Sequence, residues 1–593
     1  MEKVSDYIFR IIHEQTTVRT VFMLPGGGCM HLLDSLGRSA LRYVCNLHEQ
    51  AAAIAAEAYA QYNGDLGVVL VTAGPGSTNA ITGVAGAWID STPLLVLSGQ
   101  AKTSDLRTRW HVRQMGIQEV DTVNIVSPFC KYAVCITDPQ RVPYELGRAL
   151  HLARSGRKGP VWLDIPLDVQ GASIDPATLP AYQPEPPERA DYQQAAREIL
   201  SALSVARRPV VYAGNGIRLS GALKEFRQWV EMTGLPVLTS WKAADFLPEE
   251  HPQFVGRPGI IAQRGANFVQ QTADCLLALG TRLDLCQTGF NHPGFAPRAQ
   301  KYIVDIDGCE IDKLDMPLAG KYALDAGKLL RALIALTAEY TFSCQPWLSR
   351  CKDWQRRYPV ILPEYCREDA DKVNLYHLIK VLSEVMQPGQ ILVPGSSGAC
   401  AEVTMQAFQV KEGERIQNTP GLGSMGFGLP ACIGACLASG GKLTVAIIGD
   451  GGLQHNIQEL QTLKNLNLPI KLFVLNNGGY GSIVNMQKNR FQGHFVACNP
   501  ESGLILPELQ RLAEAYRLPF ARIAHPRNLQ AQVADILNQP GTTVCEVMLD
   551  PNVVSAPHLA SEALPDGRMV SKPMEDLAPF LSRAELAENL SVE

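Results

Sequence analysis

What this 593-residue chain lacks narrows the field first. No apolar run approaches the ~18 residues that a bilayer-spanning helix needs, so no membrane partner is expected. The opening fifteen residues, MEKVSDYIFRIIHEQ, mix charge with apolar residues at helical spacing and lack the apolar core of a secretory signal. None of the fifteen cysteines forms a CxxC pair. Cys432 and Cys436 lie four apart in an Ala/Gly-rich stretch without partner histidines, and read as core thiols that fit a reducing compartment. There is no basic tract and the formal net charge is −5, which argues against nucleic acid as a partner. The expectation is a cytoplasmic, soluble protein.

What is present is apolar and repetitive in character. Hydrophobic residues make up 46% of the chain and charged ones 19%, enough to fill several large cores. The length suits about three or four domains. Over residues 1–178, short β-rich runs at 66–71, 93–97 and 160–165 alternate with helical stretches, 50–61 among them. This alternation predicts a parallel sheet wrapped by helices. A Pro- and charge-rich linker follows at 179–189. The pattern restarts over 190–345, with strand candidates at 209–212, 236–238, 275–278 and 302–304. A less ordered stretch is expected around 340–367. A third unit spans 371–550, with its clearest strands at 443–448 and 470–475, and 551–593 reads as a loop-rich tail. The fold expected is α/β, with three doubly wound parallel-sheet domains.

Chemistry concentrates at 443–477. A strand ends on Asp450-Gly451-Gly452, a helical stretch follows at 456–464, and the next strand ends on Asn476-Asn477. Both polar ends then lie at the carboxyl edge of neighbouring parallel strands, where α/β sheets place ligands. A carboxylate and an amide oxygen meeting there suit a hard cation such as magnesium. The glycines let backbone N–H groups approach a phosphate. Either motif alone reads as a turn; together they imply a metal-bound diphosphate.

The Gly-Asp-Gly…Asn-Asn pattern resembles the cofactor signature of thiamine-diphosphate enzymes. The resemblance implies metal ligation by Asp450, Asn477 and the main-chain carbonyl of Gly479, with Tyr480 beside them. A second segment agrees. Asn46-Leu47-His48-Glu49-Gln50 lies between a strand and a helix and resembles the family segment whose glutamate meets the aminopyrimidine ring. A carboxylate sharing a proton with that ring favours the imino tautomer, which takes the proton from thiazolium C2. Taken alone, Glu49 reads as a first-turn glutamate stabilising a helix dipole, and Glu57 is a second carboxylate on the same helix. The loop Ala73-Gly74-Pro75-Gly76-Ser77-Thr78-Asn79 resembles the family's SGPGATN loop, which adds Gly76 and Asn79. The stretch 421–434 resembles the segment that holds the bent cofactor, with Gly423 and with Met425 as its prop. Gly395, Ser396 and Ser397 follow a strand at 391–393 and could donate to the diphosphate, or form a plain strand-to-helix loop.

The resemblance runs from about residue 4 to 578 and is strongest to acetolactate synthase and its relatives, on Pro25-Gly26-Gly27, the HEQ segment and Gly159-Pro160-Val161-Trp162-Leu163-Asp164-Ile165-Pro166. That branch implies decarboxylation of pyruvate and transfer of the two-carbon unit to a ketone, either a second 2-oxo acid or a nucleotide-linked keto-sugar. It also implies FAD in the middle domain. Gly214, Gly216, Arg264, Gly265, Arg282 and Asp305 fall near the matching positions, although Arg282-Leu283-Asp284-Leu285 departs from the family's Arg-Phe-Asp-Asp. Two further departures bear on the acceptor. Arg113 precedes Gln114 where the branch has Phe, and Met486 stands where it has Trp. The resemblance further implies a homodimer or homotetramer, with Glu49 of one chain facing Asp450 and Asn477 of another. A non-ligating 2-oxo acid decarboxylase and an inactive regulatory homologue are the alternatives.

Overall fold

The computed structural model describes residues 1–186, 190–395 and 397–591, so Ser396 and the end of the linker lie outside the described residues. Eighteen strands build three six-stranded sheets. The first contains β1 (Thr20–Met23), β2 (Arg42–Cys45), β3 (Gly67–Val71), β4 (Leu94–Gln100), β5 (Tyr132–Cys135) and β6 (Pro160–Pro166). The second contains β7 (Pro209–Ala213), β8 (Val237–Thr239), β9 (Phe254–Gly256), β10 (Cys275–Leu279), β11 (Gln300–Asp305) and β12 (Gly320–Ala323). The third contains β13 (Ile391–Pro394), β14 (Arg415–Ile416), β15 (Thr444–Gly449), β16 (Ile470–Asn476), β17 (Phe520–Ile523) and β18 (Thr543–Met548). Every pairing inside these sheets is parallel. Inner strands such as Leu94–Gln100 and Cys275–Leu279 are buried along their whole length, as helices on both faces require, which is why the runs LLVLSGQ and CLLAL read as continuous rather than alternating.

The outer sheets share one strand order and the middle sheet has another. The first runs β2-β1-β3-β4-β6-β5 and the third β14-β13-β15-β16-β18-β17. The middle sheet runs β9-β8-β7-β10-β11-β12, the order of dinucleotide-binding sheets. Each order reverses direction inside the sheet, between β1 and β3, between β13 and β15, and between β7 and β10; the two outer sheets step back once more at their last strand. Ligands settle outside the carboxyl ends of strands at such reversals. The loops there are 24–28 with 72–76, 395–398 with 449–452, and 214–216 with 280–282. They are the segments singled out by sequence.

One core spans the first and third units of a single chain. The Glu49–Asn63 helix and the Gly428–Ala438 helix cross so closely that a Cβ on Gly434 would lie 2.0 Å from the Ala55 carbonyl oxygen. Cys432 and Cys436 lie wholly buried there, as core thiols. Among the described residues no helix is long and apolar enough to cross a membrane.

One expectation needs correction. The stretch around 340–367 contains a regular helix, Gln345–Arg357, with Pro346 in its first turn and Trp347, Leu348, Cys351 and Trp354 buried on one face. Its many charges masked that stripe. The tail, mostly loop, also carries a hairpin, Ser561–Ala563 with Met569–Ser571, and a helix, Arg583–Leu590. It straps the middle unit through Asn267 Nδ2 donating to the Met574 carbonyl (2.7 Å) and Trp354 Nε1 donating to Asn589 Oδ1 (2.8 Å).

Candidate active site

Glu49 is the first residue of its helix, and His48 caps it by accepting the Gln50 N–H on Nδ1 (3.1 Å). A first-turn glutamate that only serves the dipole points to water; Glu49 is 6% exposed. Asn79 Nδ2 donates to Glu49 Oε2 at 3.0 Å. A Cβ added to Gly76 would sit 2.8 Å from Thr72 Cγ2 and 3.6 Å from Glu49 Oε1, so glycine keeps the space beside the carboxylate open. Gly26 presses on Thr72 from the other side, and Pro25 next to it is exposed. Glu57 does not share this site. It is wholly buried two turns on, donated to by Gln61, with Asp90 and Lys242 near it, and burial pushes its carboxyl up to about 8.

Asp450 begins a short helical turn at the end of β15, and Asn477 follows β16 directly, with the two strands paired side by side. Burial pushes the Asp450 carboxyl up to about 6, against the pull of backbone N–H donors. Gly451 N–H donates to its Oδ1 (2.7 Å) and Gly478 N–H to its Oδ2 (3.1 Å). It makes no ion pair among the described residues. The Asn477 Oδ1 is shut off from solvent and has no hydrogen-bond partner. An orphaned amide oxygen beside a desolvated carboxylate is the donor chemistry of a hard-cation site, and among the described residues no cluster of His, Cys, Asp or Glu offers a rival one. Gly479 has φ +149°, and a Cβ there would lie 2.3 Å from the Cys498 carbonyl oxygen, so only glycine can hold this turn. The Tyr480 ring lies over Gly451, and Gly452 is free of such crowding. Magnesium and a diphosphate fit these residues: Asp450, Asn477 and Gly479 would hold the metal, and the 451–452 backbone lies next to it.

Asn476 is a brace rather than a ligand. Its Oδ1 accepts the Gly478 N–H (3.1 Å), and its Nδ2 donates to Glu546 Oε1 (2.7 Å), itself paired with Arg522.

A third feature is a cavity of about 1060 Å³ between the units. Gly216, Arg282 and Asp305 line it, and so do Ser397 and Gly423 from the third unit. Gly214 lies under its floor, packed on Gly280 and Thr281. Gly395 packs on Cys400, and Met425 is half-buried. Arg264 and Gly265 do not reach the cavity. Arg264 is spent on the tail, donating to the Leu577 and Pro579 carbonyls (3.0 and 2.6 Å), and Gly265 lies against the Trp354 backbone. Sequence could not show this, because the tail that uses Arg264 is some 300 residues away.

The acceptor candidates are all exposed. Arg113 has no hydrogen bond or ion pair among the described residues, and Gln114 donates to the Glu119 carbonyl (3.1 Å). Sequence reasoning missed their neighbour Gln118, whose carbonyl would lie 2.3 Å from a Cβ on Gly74, in the loop that carries Gly76. Beside it Ile117 is 89% exposed. The φ of Gln118, +57°, is the feature that brings it there, and no residue pattern announces it. Met486 is 42% exposed on the Gly481–Arg490 helix, which buries no residue at all.

Comparison with known proteins decides the family. The chain matches the thiamine pyrophosphate enzyme N-terminal TPP binding domain over residues 2–125, the central domain over 196–333, and the C-terminal TPP binding domain over 396–547. It is 33% identical to the acetolactate synthase isozyme 1 large subunit of Escherichia coli (strain K12), covering 91% of this chain and 93% of that one. The chain belongs to the acetolactate synthase family of thiamine pyrophosphate enzymes. Acetolactate synthase 1, chloroplastic, of Zea mays is 32% identical over 90% of this chain and 84% of its own. The acetolactate synthase large subunit of Lactococcus lactis subsp. lactis (strain IL1403) is 32% identical, with 90% of each chain covered. An acetolactate synthase-like, thiamine-diphosphate-dependent enzyme is therefore what the three parallel sheets build.

Proposed function

We propose that this family member is a magnesium-requiring, decarboxylating carboligase that moves a two-carbon unit from pyruvate to a ketone acceptor. The single observation that carries the reading is the pairing of a buried, hydrogen-bonded Glu49 with an electrostatically unfinished Asp450–Asn477 clamp, in a chain whose relatives bear the name acetolactate synthase. Thiamine diphosphate, when bound, supplies the nucleophilic carbon and the electron sink. Asp450, Asn477 and the Gly479 carbonyl would hold the cation. Glu49, held by Asn79, would hold or give up a proton at its carboxylate beside the aminopyrimidine.

Glu49 has no hydrogen bond to the third unit, and Asp450 and Asn477 have none to the first, among the described residues. A homodimer or homotetramer in which one chain's Glu49 meets another chain's metal clamp accounts for this separation. It also accounts for the unburied Gly481–Arg490 helix and for the exposed Trp110, Val112, Met115 and Ile117. The cavity lined by Gly216, Arg282 and Asp305 is the place for FAD; its middle-sheet strand order and its size suit a dinucleotide.

Incubation with pyruvate tests the reading: acetolactate, or a two-carbon adduct of a supplied keto-sugar, supports it, while acetaldehyde as sole product contradicts it. The visible spectrum of the purified protein tests the flavin.

A further inference from the structure

Immediately before Glu49, residues 46–48 are gripped from the third unit of the same chain. The grip is one side chain, Glu459, on the Glu459–Leu466 helix that follows the Asp450 turn. Glu459 is 0% exposed. Its Oε1 accepts the Leu47 N–H (2.8 Å), and its Oε2 accepts Asn46 Nδ2 (2.9 Å) and the Thr462 hydroxyl (2.6 Å). The His48 N–H also faces this carboxyl. Burial pushes this carboxyl up and the donors pull it back. Each of these partners presents a hydrogen, so the group they fit is an acceptor-only carboxylate. Asn46 is itself 0% exposed, and its N–H is tied to the Met23 carbonyl of β1 (2.9 Å). The short segment between β2 and the Glu49–Asn63 helix is thus fixed at three consecutive residues, and Glu49 is the next one along.

We propose that Glu459 is a positioning residue for Glu49: from the metal-clamp unit it fixes residues 46–48, and with them the placement of the Glu49 carboxylate toward the aminopyrimidine. The proposal rests on the reading of Glu49 given above. It has a further consequence in a dimer with shared sites. Glu459 follows this chain's own metal turn, while the Glu49 that it places serves the other chain's cofactor. The strut would then be a short, hydrogen-bonded link between two active sites.

The test measures hydrogen–deuterium exchange at thiazolium C2 of thiamine diphosphate bound to the holoenzyme with magnesium, together with the cofactor dissociation constant and the thermal midpoint. Four proteins are compared: wild type, Glu49→Gln, Glu459→Gln and the double variant. Glu459→Gln is expected to slow exchange about tenfold, the scale of a sub-ångström misplacement, with cofactor affinity within about threefold of wild type. In the Glu49→Gln background it is expected to add nothing, because its effect runs through Glu49. Equal slowing in both backgrounds overturns the proposal, and so does unchanged exchange in a Glu459→Gln protein of wild-type midpoint. If Glu49→Gln itself leaves exchange untouched, the reading of Glu49 falls and the proposal falls with it, so the two failures are distinguishable. Should Glu459→Gln not fold, Thr462→Val removes one of the donors with little change of shape. It is expected to slow exchange in the same direction by a smaller factor, and unchanged exchange overturns the proposal.

Discussion

The two halves of the site differ in how finished they are. In the Glu49 half the carboxylate itself is satisfied by the protein: it is buried, held by Asn79 on a helix capped by His48, and anchored through residues 46–48, where the Asn46 amide oxygen alone has no partner among the described residues. The Asp450 half is less finished. Its carboxyl is pushed up to about 6 by burial, and the Asn477 amide oxygen has no partner. A buried acceptor left unpaired costs about 1–3 kcal/mol, and a cation there recovers it. The difference fits the proposed roles: a proton-transfer group would need only rigidity, while a receptor for metal and diphosphate would keep desolvated acceptors unpaired until they are bound.

That contrast can be broken by mutation, and the largest effect is expected at the receptor. Asp450→Ala should abolish magnesium-dependent cofactor binding, read by calorimetric titration, while the Glu49 half keeps its fold and the thermal midpoint barely falls. Glu49→Gln should do the reverse. Turnover is expected to drop by about 10²–10⁴, the usual range for a proton-transfer group, with cofactor affinity nearly unchanged. A variant that loses both properties at once, in either half, removes the distinction.

Gly479→Ala ranks next. At φ +149° and 2.3 Å from the Cys498 carbonyl, a methyl group must displace the turn, so magnesium affinity is expected to fall at least about tenfold, at a backbone-strain cost of ~1–3 kcal/mol.

Glu57 sharpens the comparison as a control carboxylate on the Glu49 helix. Its pKa in the folded protein is about 8, far above the ordinary 4.5. The folded state therefore holds its proton more tightly than the unfolded chain, and stability is lost as pH rises from about 4.5 to about 8. Glu57→Gln should be stabilised relative to wild type by a margin that grows across that window and levels off above it, reaching a few kcal/mol. Equal pH profiles of the unfolding midpoint would contradict the burial argument. The smallest effect is expected at Arg113: exposed, and without an ion pair among the described residues, it should tolerate Arg113→Ala with pyruvate turnover within about twofold, any change appearing only in acceptor choice.

The sequence showed the parts that a cofactor forces into contiguous strings. Asp450-Gly451-Gly452, Asn476-Asn477 and His48-Glu49 are legible because one strand end must present them together. The three-sheet architecture was legible for a similar reason, since buried parallel strands leave apolar runs. What was hidden is what distance in sequence hides. Glu459 and Asn46 are 413 residues apart, and no local pattern joins them. Arg264 looked like a cofactor ligand until the tail took its donors. The Gln345–Arg357 helix was obscured because its buried Trp347 and Trp354 sit among charges that swamp the average. Gln118 reaches the Gly74 loop through a positive φ that composition does not signal.

The central claim is that Glu49 and the Asp450–Asn477 clamp complete one site from two chains, and mixing two dead variants tests it most directly. Glu49→Gln and Asp450→Ala proteins, each inactive alone, should regain activity when co-expressed, because a mixed dimer has one site carrying both changes and one carrying neither. Random pairing leaves about a quarter of all sites intact, so recovery near that fraction of wild-type activity is the predicted result. A mixed dimer, verified by mass, that stays inactive would place both halves in the same chain and contradict the account.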